Sequence, residues 1–327
     1  MTEADIEARL APLADLRRAI SVAIVGQDDV VEQLLIGLLA GGHCLLEGVP
    51  GLGKTLLVRT LGSALDLGFR RIQFTPDLMP SDILGTELLE EDHGTGHRSF
   101  RFQPGPVFTN LLLADELNRT PPKTQAALLE AMQERTVSYA GVTHRLPAPF
   151  FVLATQNPIE QAGTFPLPEA QLDRFLLNIR VDYPSEAEER DILIATTGTT
   201  AGAVPSVMDA AAVVALQALV RDVHIGADLL LWVTRLVRAT RPGADGLAVV
   251  GHNVRWGAGP RAGQSLVLAA KARALLRGRL AATRDDVIAL AAPVLRHRLV
   301  LAFAAEAEGR DADAVIAEVV RGVPFPS

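Results

Sequence analysis

Two apolar patterns divide the chain. Over the first 184 residues, short continuous apolar or β-branched runs alternate with stretches of helical spacing. The runs His43–Glu47 (HCLLE), Arg71–Thr75 (RIQFT), Asn110–Asp115 (NLLLAD), Phe150–Thr155 (FFVLAT) and Phe175–Val181 (FLLNIRV) read as five strands. Runs such as LLLA and FFVLA show no polar alternation, which suits strands covered on both faces, as in a parallel sheet. Helical spacing falls between them, at Asp28–Ala40, Lys54–Ala64, Pro122–Gln133 and, more briefly, Glu169–Arg174. Strands alternating with helices predict a doubly wound α/β layer.

The pattern changes after Tyr183-Pro184. Ser185 and Glu188 have capping-box spacing and open a helix to about Ala195. The small-residue stretch TTGTTAGAVPS then reads as a linker or loop, taken as about 197–207. From Asp209 the spacing is helical almost throughout, with Leu229, Val233, Leu236 and Val237 on one face. The expected organisation is an α/β unit over 1–184 followed by an all-helical unit over 185–327. No fixed-period repeat is present, which excludes solenoids and propellers.

The chemistry begins at Gly48-Val49-Pro50-Gly51-Leu52-Gly53-Lys54-Thr55, a full match to GxxxxGK[ST] placed between a strand and a helix. Glycines let the backbone wrap with its N–H groups directed at phosphate oxygens, and the helix that follows adds its positive end. Lys54 brings a point charge to the β- and γ-phosphates, and the Thr55 hydroxyl suits Mg²⁺. The strand Asn110–Asp115 ends in Asp115 and Glu116, the first able to bind Mg²⁺ directly or through water, the second able to act as general base on the attacking water. Phe150–Thr155 leads to Asn157, an amide suited to the γ-phosphate or the water, although Asn-Pro is also a common turn opener. Ligands of open α/β sheets sit at the carboxyl ends of strands, and all three segments lie just past such ends.

Arg174 precedes the last strand, and Arg261 opens a helix of the second unit. A cation in a first helical turn opposes the helix dipole, which marks Arg261 for another use. A surface role is otherwise the default for any single arginine among so many.

Composition narrows the classes. Apolar residues are 49% of the 327 and charged residues 21%, enough for a packed core. Uncharged stretches are too short for a spanning helix. The acidic N-terminal stretch lacks a basic signal-peptide region, and the single cysteine, Cys44, fits a reducing compartment, so a cytoplasmic protein is expected. A net charge of −7 argues against nucleic acid as the main partner. His93 and His97 flank glycines and read as a loop tip, with no zinc spacing elsewhere. No G-x-S-x-G elbow is present.

Taken together, the phosphate loop, the Asp-Glu pair, the strand-terminal Asn and the two arginines resemble the AAA+ ATPases. The segments QFTPDLMPSDILGTE, FQPGPVFTNLLLADELNRTPPKTQAALLEAMQER, FFVLATQNPIEQAGTFPLPEAQLDRFLL and GPRAGQSL resemble the MoxR family, over about Ile24 to Arg298. The resemblance implies an αβα sandwich with a five-stranded parallel sheet and a small helical lid. It implies ATP and Mg²⁺ as cofactors. Lys54 and Thr55 would be Walker A, Asp115 and Glu116 Walker B, Asn157 sensor 1, Arg174 the arginine finger and Arg261 sensor 2. Nucleotide contacts would come from Gln27, Gly48, Pro50, Gly51, Leu52, Gly53, Lys54, Thr55, Leu56 and Arg261, with Val25-Gly26-Gln27 framing the adenine. Arg261 is expected to bring the lid over the nucleotide, while Arg174 acts on a neighbouring copy. Residues 86–103 would be a helix-2 insert and 137–149 a hairpin before sensor 1. The implied function is a ring-forming, usually hexameric, chaperone-like ATPase working with a partner that carries a von Willebrand factor A domain. An ATPase subunit of a metal-inserting chelatase shares this architecture, and a nucleic-acid motor is a third reading.

Overall fold

The computed structural model describes residues 3–24, 26–49, 51–91, 98–157, 163–197, 204–243 and 247–326. The chain opens with α1 (Glu3–Ala23) and α2 (Asp28–Leu39), followed by β1 (Cys44–Glu47), α3 (Lys54–Ala64), β2 (Phe69–Gln73) and α4 (Pro80–Leu84). Next come β3 (Gly85–Glu91), β4 (Arg98–Pro104), β5 (Leu111–Asp115), α5 (Pro122–Glu134), β6 (Thr136–Tyr139), β7 (Val142–Arg145) and β8 (Phe151–Gln156). The α/β part closes with α6 (Glu169–Leu172) and β9 (Leu177–Arg180).

One parallel sheet of five strands, in the order β2-β5-β8-β1-β9, carries the molecule. Successive strand residues face opposite sides, and the core divides accordingly. Cys44, Leu46, Leu111, Leu113, Phe151 and Leu153 pack with α1, α2 and α3 on one face. Leu45, Leu112, Ala114, Val152 and Ala154 pack with Leu128, Leu129 and Met132 of α5 on the other. Both faces are therefore buried, the physical origin of the unbroken apolar runs. Strand and helix ends differ from the sequence expectation by at most two residues, as fraying ends do.

The expected insert at 86–103 is a hairpin, with β3 and β4 antiparallel in register from Gly85↔Pro104 to Glu91↔Arg98. His93 and His97 lie outside the described residues. The second expected insert contains the hairpin β6–β7, turned at Ala140 (φ 48°) and Gly141 (φ 80°). Paired positive φ angles there match the twist of a two-residue hairpin turn.

The second part consists of α7 (Glu186–Thr197), α8 (Ala210–Asp222), α9 (Ala227–Ala239), α10 (Ala248–Asn253), β10 (Val254–Trp256), α11 (Pro260–Leu276), α12 (Arg284–Leu295), β11 (Val300–Leu301), α13 (Phe303–Ala307) and α14 (Ala312–Gly322). It is helical apart from the small antiparallel pair β10–β11, which the all-helical expectation omitted. Asp209 and Asp311 cap α8 and α14, each accepting a backbone N–H at 2.8 Å. Residues 198–203 of the expected loop lie outside the described residues.

This helical part does not stand apart from the sheet. Leu216, Val220, Leu266 and Leu295 belong to the same apolar cluster as Leu34, Leu38 and Leu177. Helices α8 and α11 pack on α2, and α12 packs on the edge strand β9. No described helix is long and apolar enough to cross a membrane.

Candidate nucleotide-binding and hydrolysis site

The phosphate loop follows β1, and its backbone is shaped by glycine where the chain requires it. Gly53 caps α3 with φ 72°, and Gly51 has φ 88°, conformations that side-chain-bearing residues rarely adopt. Nothing lies within 4 Å of where a Cβ would sit on either, so the concave side is open. Gly48 is constrained differently, because a Cβ there would lie 2.5 Å from Val181 O, just beyond β9.

A cleft of about 300 Å³ opens over this loop, lined by Gly51, Gly53, Lys54, Thr55, Leu56, Arg71, Gln73, Asp115, Glu116, Thr155 and Asn157. The loop, the end of β5 and the end of β8 thus meet in one crevice. The Lys54 ammonium donates to Gly48 O. Partial burial lowers its pKa, while Asp115 and Glu116 oppose that by favouring the charged form.

Asp115 and Glu116 are consecutive, yet both line the cleft. A regular strand would send them to opposite faces. Glu116 instead takes a left-handed conformation (φ 57°, ψ 48°) that ends the strand, and its backbone N–H donates to Thr155 Oγ1 at 2.9 Å. Thr155 in turn donates to Asp115 Oδ1 at 2.6 Å.

The other oxygen, Asp115 Oδ2, accepts from Arg71 Nε and Nη2 at 3.0 and 2.6 Å. Arg71 also donates to Gln73 Oε1, and Gln73 Nε2 donates to Glu116 Oε2, both at 2.6 Å. Arg71, Gln73 and Thr155 are site residues that the motif reading missed. Thr55 and Asp115 present a hydroxyl and a carboxylate, hard oxygen donors of the kind Mg²⁺ takes alongside phosphate oxygens and water.

A second, apolar hollow of about 480 Å³ adjoins the loop, lined by Ala23, Ile24, Gln27, Leu52, Leu56, Tyr183, Pro184, Ile192 and Leu193 among others. Gln27 Nε2 donates to Leu52 O at 3.0 Å, tying the start of α2 to the phosphate loop. A flat, largely apolar base fits such a wall. Val25 and Pro50 lie outside the described residues.

Arg174 and Arg261 go elsewhere. They line a small hollow with His43, Met132 and Gln133, and neither lines the phosphate cleft. His43 precedes β1 whereas the loop follows it, so the two sites sit at opposite ends of that strand, roughly 15 Å apart at about 3.3 Å per residue. Arg261, expected at its own nucleotide, does not line the cleft. Packing of the helical part against α2 and β9 carries Arg261 to Asp173, whose Oδ2 is 3.5 Å from its Nη1.

These features define a P-loop nucleotide-binding fold with a helical lid. The model for "ATPase family associated with various cellular activities (AAA)" matches residues 43–177, and that for the AAA lid domain matches 248–319. "Chaperone MoxR1" of Mycobacterium tuberculosis is 47% identical over 304 residues, covering 93% of this chain and 79% of that protein. "Protein MoxR" of Paracoccus denitrificans is 36% identical, with 90% and 91% covered. A crystal structure from Cytophaga hutchinsonii, described as a candidate ATPase, superposes with a TM-score of 0.92 at 39% identity, covering 99% of this chain and 98% of that one. The chain belongs to the MoxR family of AAA+ ATPases.

Proposed function

We propose that this protein assembles into a ring, a hexamer, and hydrolyses ATP between adjacent copies to remodel a protein partner. The observation that carries the reading is the division of reactive groups between the two ends of β1. Lys54, Asp115, Glu116 and Asn157 line the phosphate cleft, while Arg174 and Arg261 share the hollow at the far end. An arginine side chain cannot bridge that separation within one copy. A heterologous, head-to-tail contact brings one end of a subunit against the other end of the next, and rings close by such contacts.

In this reading Gln27, Gly48, Pro50, Leu52 and Leu56 frame the nucleotide, and the loop N–H groups with Lys54 hold its phosphates. Thr55 and Asp115 would hold Mg²⁺, which when bound neutralises charge on the β- and γ-oxygens. Glu116 takes the proton from water as its oxygen attacks the γ-phosphorus. The bond to the bridging oxygen breaks, and the charge leaves with ADP. Asn157 orients the water or the γ-phosphate. Arg174 and Arg261 of the adjoining copy stabilise the charge that develops on the transferring group, where catalysis of phosphoryl transfer mainly acts.

The likeness to a protein named as a chaperone supports a chaperone-like role. The family resemblance supports a von Willebrand factor A domain protein as co-worker, and the single cysteine supports a cytoplasmic setting. We divide the chain at 184/185 into nucleotide-binding and lid parts.

Mixing two inactive variants tests the central point. Arg174→Ala keeps the cleft and Lys54→Ala keeps the arginines, so mixed assemblies regain ATPase activity above either alone. Absence of recovery among exchanging subunits, or full activity of Arg174→Ala, overturns the reading.

A further inference from the structure

The tight turn Arg296–Arg298, between α12 and β11, reaches across to the backbone that carries Arg174. Arg296 Nη1 donates to Asn178 O at 3.0 Å, and His297 Nε2 donates to Phe175 O at 3.1 Å. Arg298 Nε donates to Asp173 Oδ1 at 2.7 Å, and Nη2 to Phe175 O at 2.7 Å. Weaker bonds run from Nη1 to Leu176 O at 3.3 Å and from Nη2 to Asp173 O at 3.4 Å. A 3₁₀ turn sends successive side chains about 120° apart. All three nonetheless reach one segment, 173–178, through their long side chains.

Arg298 is the centre of this arrangement. Its side chain is 2% exposed. Nη1 also donates to Val294 O, and Nη2 has Ser265 Oγ as a further acceptor at 3.2 Å, so six acceptors share the five N–H groups. A guanidinium taken out of water is tolerated only when paired and fully hydrogen-bonded, and Asp173 is the carboxylate that pairs with it. The same carboxylate uses its other oxygen toward Arg261. One acid therefore stands between a buried arginine and an exposed one.

Arg174 sits within this frame. The carbonyls on either side of it, of Asp173 and Phe175, both accept from Arg298. Its backbone is held by these bonds, and the residue lines the hollow it shares with Arg261. Two cations in one small hollow repel each other, and Asp173 offsets that.

We propose that Arg298 is a positioning residue: it fixes the Asp173–Leu176 turn and, through Asp173, the Arg261 side chain, so that Arg174 and Arg261 are presented together to phosphates held by a second copy of this chain. The proposal rests on the reading that Arg174 acts on a neighbour's ATP. An arginine that only cements the lid to the sheet would, when altered, lower stability and ATP binding alike, without regard to which partner variant is mixed in.

The test uses the full chain with Arg298→Lys and, from the other side, Asp173→Asn. Lysine keeps the charge, but one ammonium cannot span Asp173 and the flanking carbonyls as a planar fork does. Each variant is assayed for binding of a fluorescent non-hydrolysable ATP analogue, for steady-state kcat, and in mixtures with Lys54→Ala and with Arg174→Ala. Analogue affinity should stay within about twofold while kcat falls at least ~10-fold, part of what loss of an arginine finger costs. Mixing with Lys54→Ala should restore activity, and mixing with Arg174→Ala should not. Should Arg298→Lys fail to fold, Asp173→Asn carries the same comparison, since it replaces one partly exposed oxygen. Wild-type kcat in both variants overturns the proposal, as does joint loss of affinity and kcat, or no recovery with Lys54→Ala. If Arg174→Ala alone is fully active, the trans reading itself fails. If Arg174→Ala is inactive and complements Lys54→Ala while both new variants are fully active, only the positioning role fails.

Discussion

The side-chain amide of Gln73 donates to Glu116 Oε2 at 2.6 Å, and Arg119 Nε stands 3.0 Å from the same oxygen. The carboxylate assigned as base is thus held by donors from the end of β2 and from the turn after β5. Each donor occupies an acceptor site of the carboxylate that would otherwise be open to the attacking water. Gln73→Leu removes one of them and is expected to raise basal kcat about three- to tenfold, with KM for ATP unchanged, in a phosphate-release assay. A fall in kcat would make Gln73 an orienting group for Glu116 instead.

Lys54 and Glu116 occupy one cleft with separable tasks. Lys54→Ala removes the point charge on the phosphates, and isothermal calorimetry with ATP and Mg²⁺ should record loss of tight binding. Glu116→Gln preserves shape and is expected to bind ATP normally while hydrolysing it about 10²- to 10⁴-fold more slowly, the usual worth of a positioned base. Normal turnover by Glu116→Gln would remove that residue from the chemistry.

His43 ties three elements together from a buried position at the start of β1. Its Nε2 donates to Met132 O at 3.0 Å, and Nδ1 accepts the Val152 N–H at 3.0 Å. Burial brings its pKa down from 6.5 to about 4. The unfolded chain therefore takes up a proton before the folded one does. The stability this group contributes is complete above 6.5 and is lost as pH falls toward 4. Urea unfolding at neutral and mildly acidic pH should show His43→Gln less stable at neutrality by about 1–3 kcal/mol. Its stability should also fall less steeply across that window. Parallel slopes would argue against His43 as the source of acid sensitivity.

Asp286 is an acid with the same direction of shift and a lower window. Its carboxylate accepts from Arg273 at 2.7 Å, from Arg279 at 2.6 and 2.9 Å, and from the Thr283 N–H and hydroxyl at 2.8 and 2.9 Å. These partners outweigh burial and hold its pKa at about 2, below the usual 3.8. Arg273 continues to Glu32 on α2 at 3.1 Å, so the cluster joins the helical part to the sheet. Asp286→Asn should destabilise by about 3–5 kcal/mol near neutrality, because two cations lose their partner. The gap to the parent should persist down to about pH 4 and close as pH approaches 2. A gap constant across acid would contradict the assignment.

The sheet and the phosphate loop were legible because each rests on local chemistry. Phe151–Leu153 and Leu111–Leu113 are buried on both faces, so their apolar runs are unbroken. Gly51 and Gly53 occupy conformations that glycine favours. Helix α1 was missed although Leu13, Leu16 and Ile20 of its buried stripe have helical spacing. Its first turn carries acids in place of a clear apolar spacing. Gln73 was illegible for another reason. It lies on the edge strand β2, where the pattern is mostly polar, and no local signal distinguishes the outward side chain that reaches the cleft. Arg298 and Asp173 meet across 125 residues. Nothing in the spacing of 28 arginines singles out Arg298 as a buried one.

The placement of Glu116 at one end of β1 and of Arg174 and Arg261 at the other has a consequence for how the protein is governed. Under the assembly proposed above, a newly made copy holds nucleotide without consuming it. Turnover begins only where copies become concentrated enough to meet. The amount of protein is then itself the control variable. Halving it near the assembly threshold lowers ATP consumption by more than half, with no inhibitor, modification or second messenger involved.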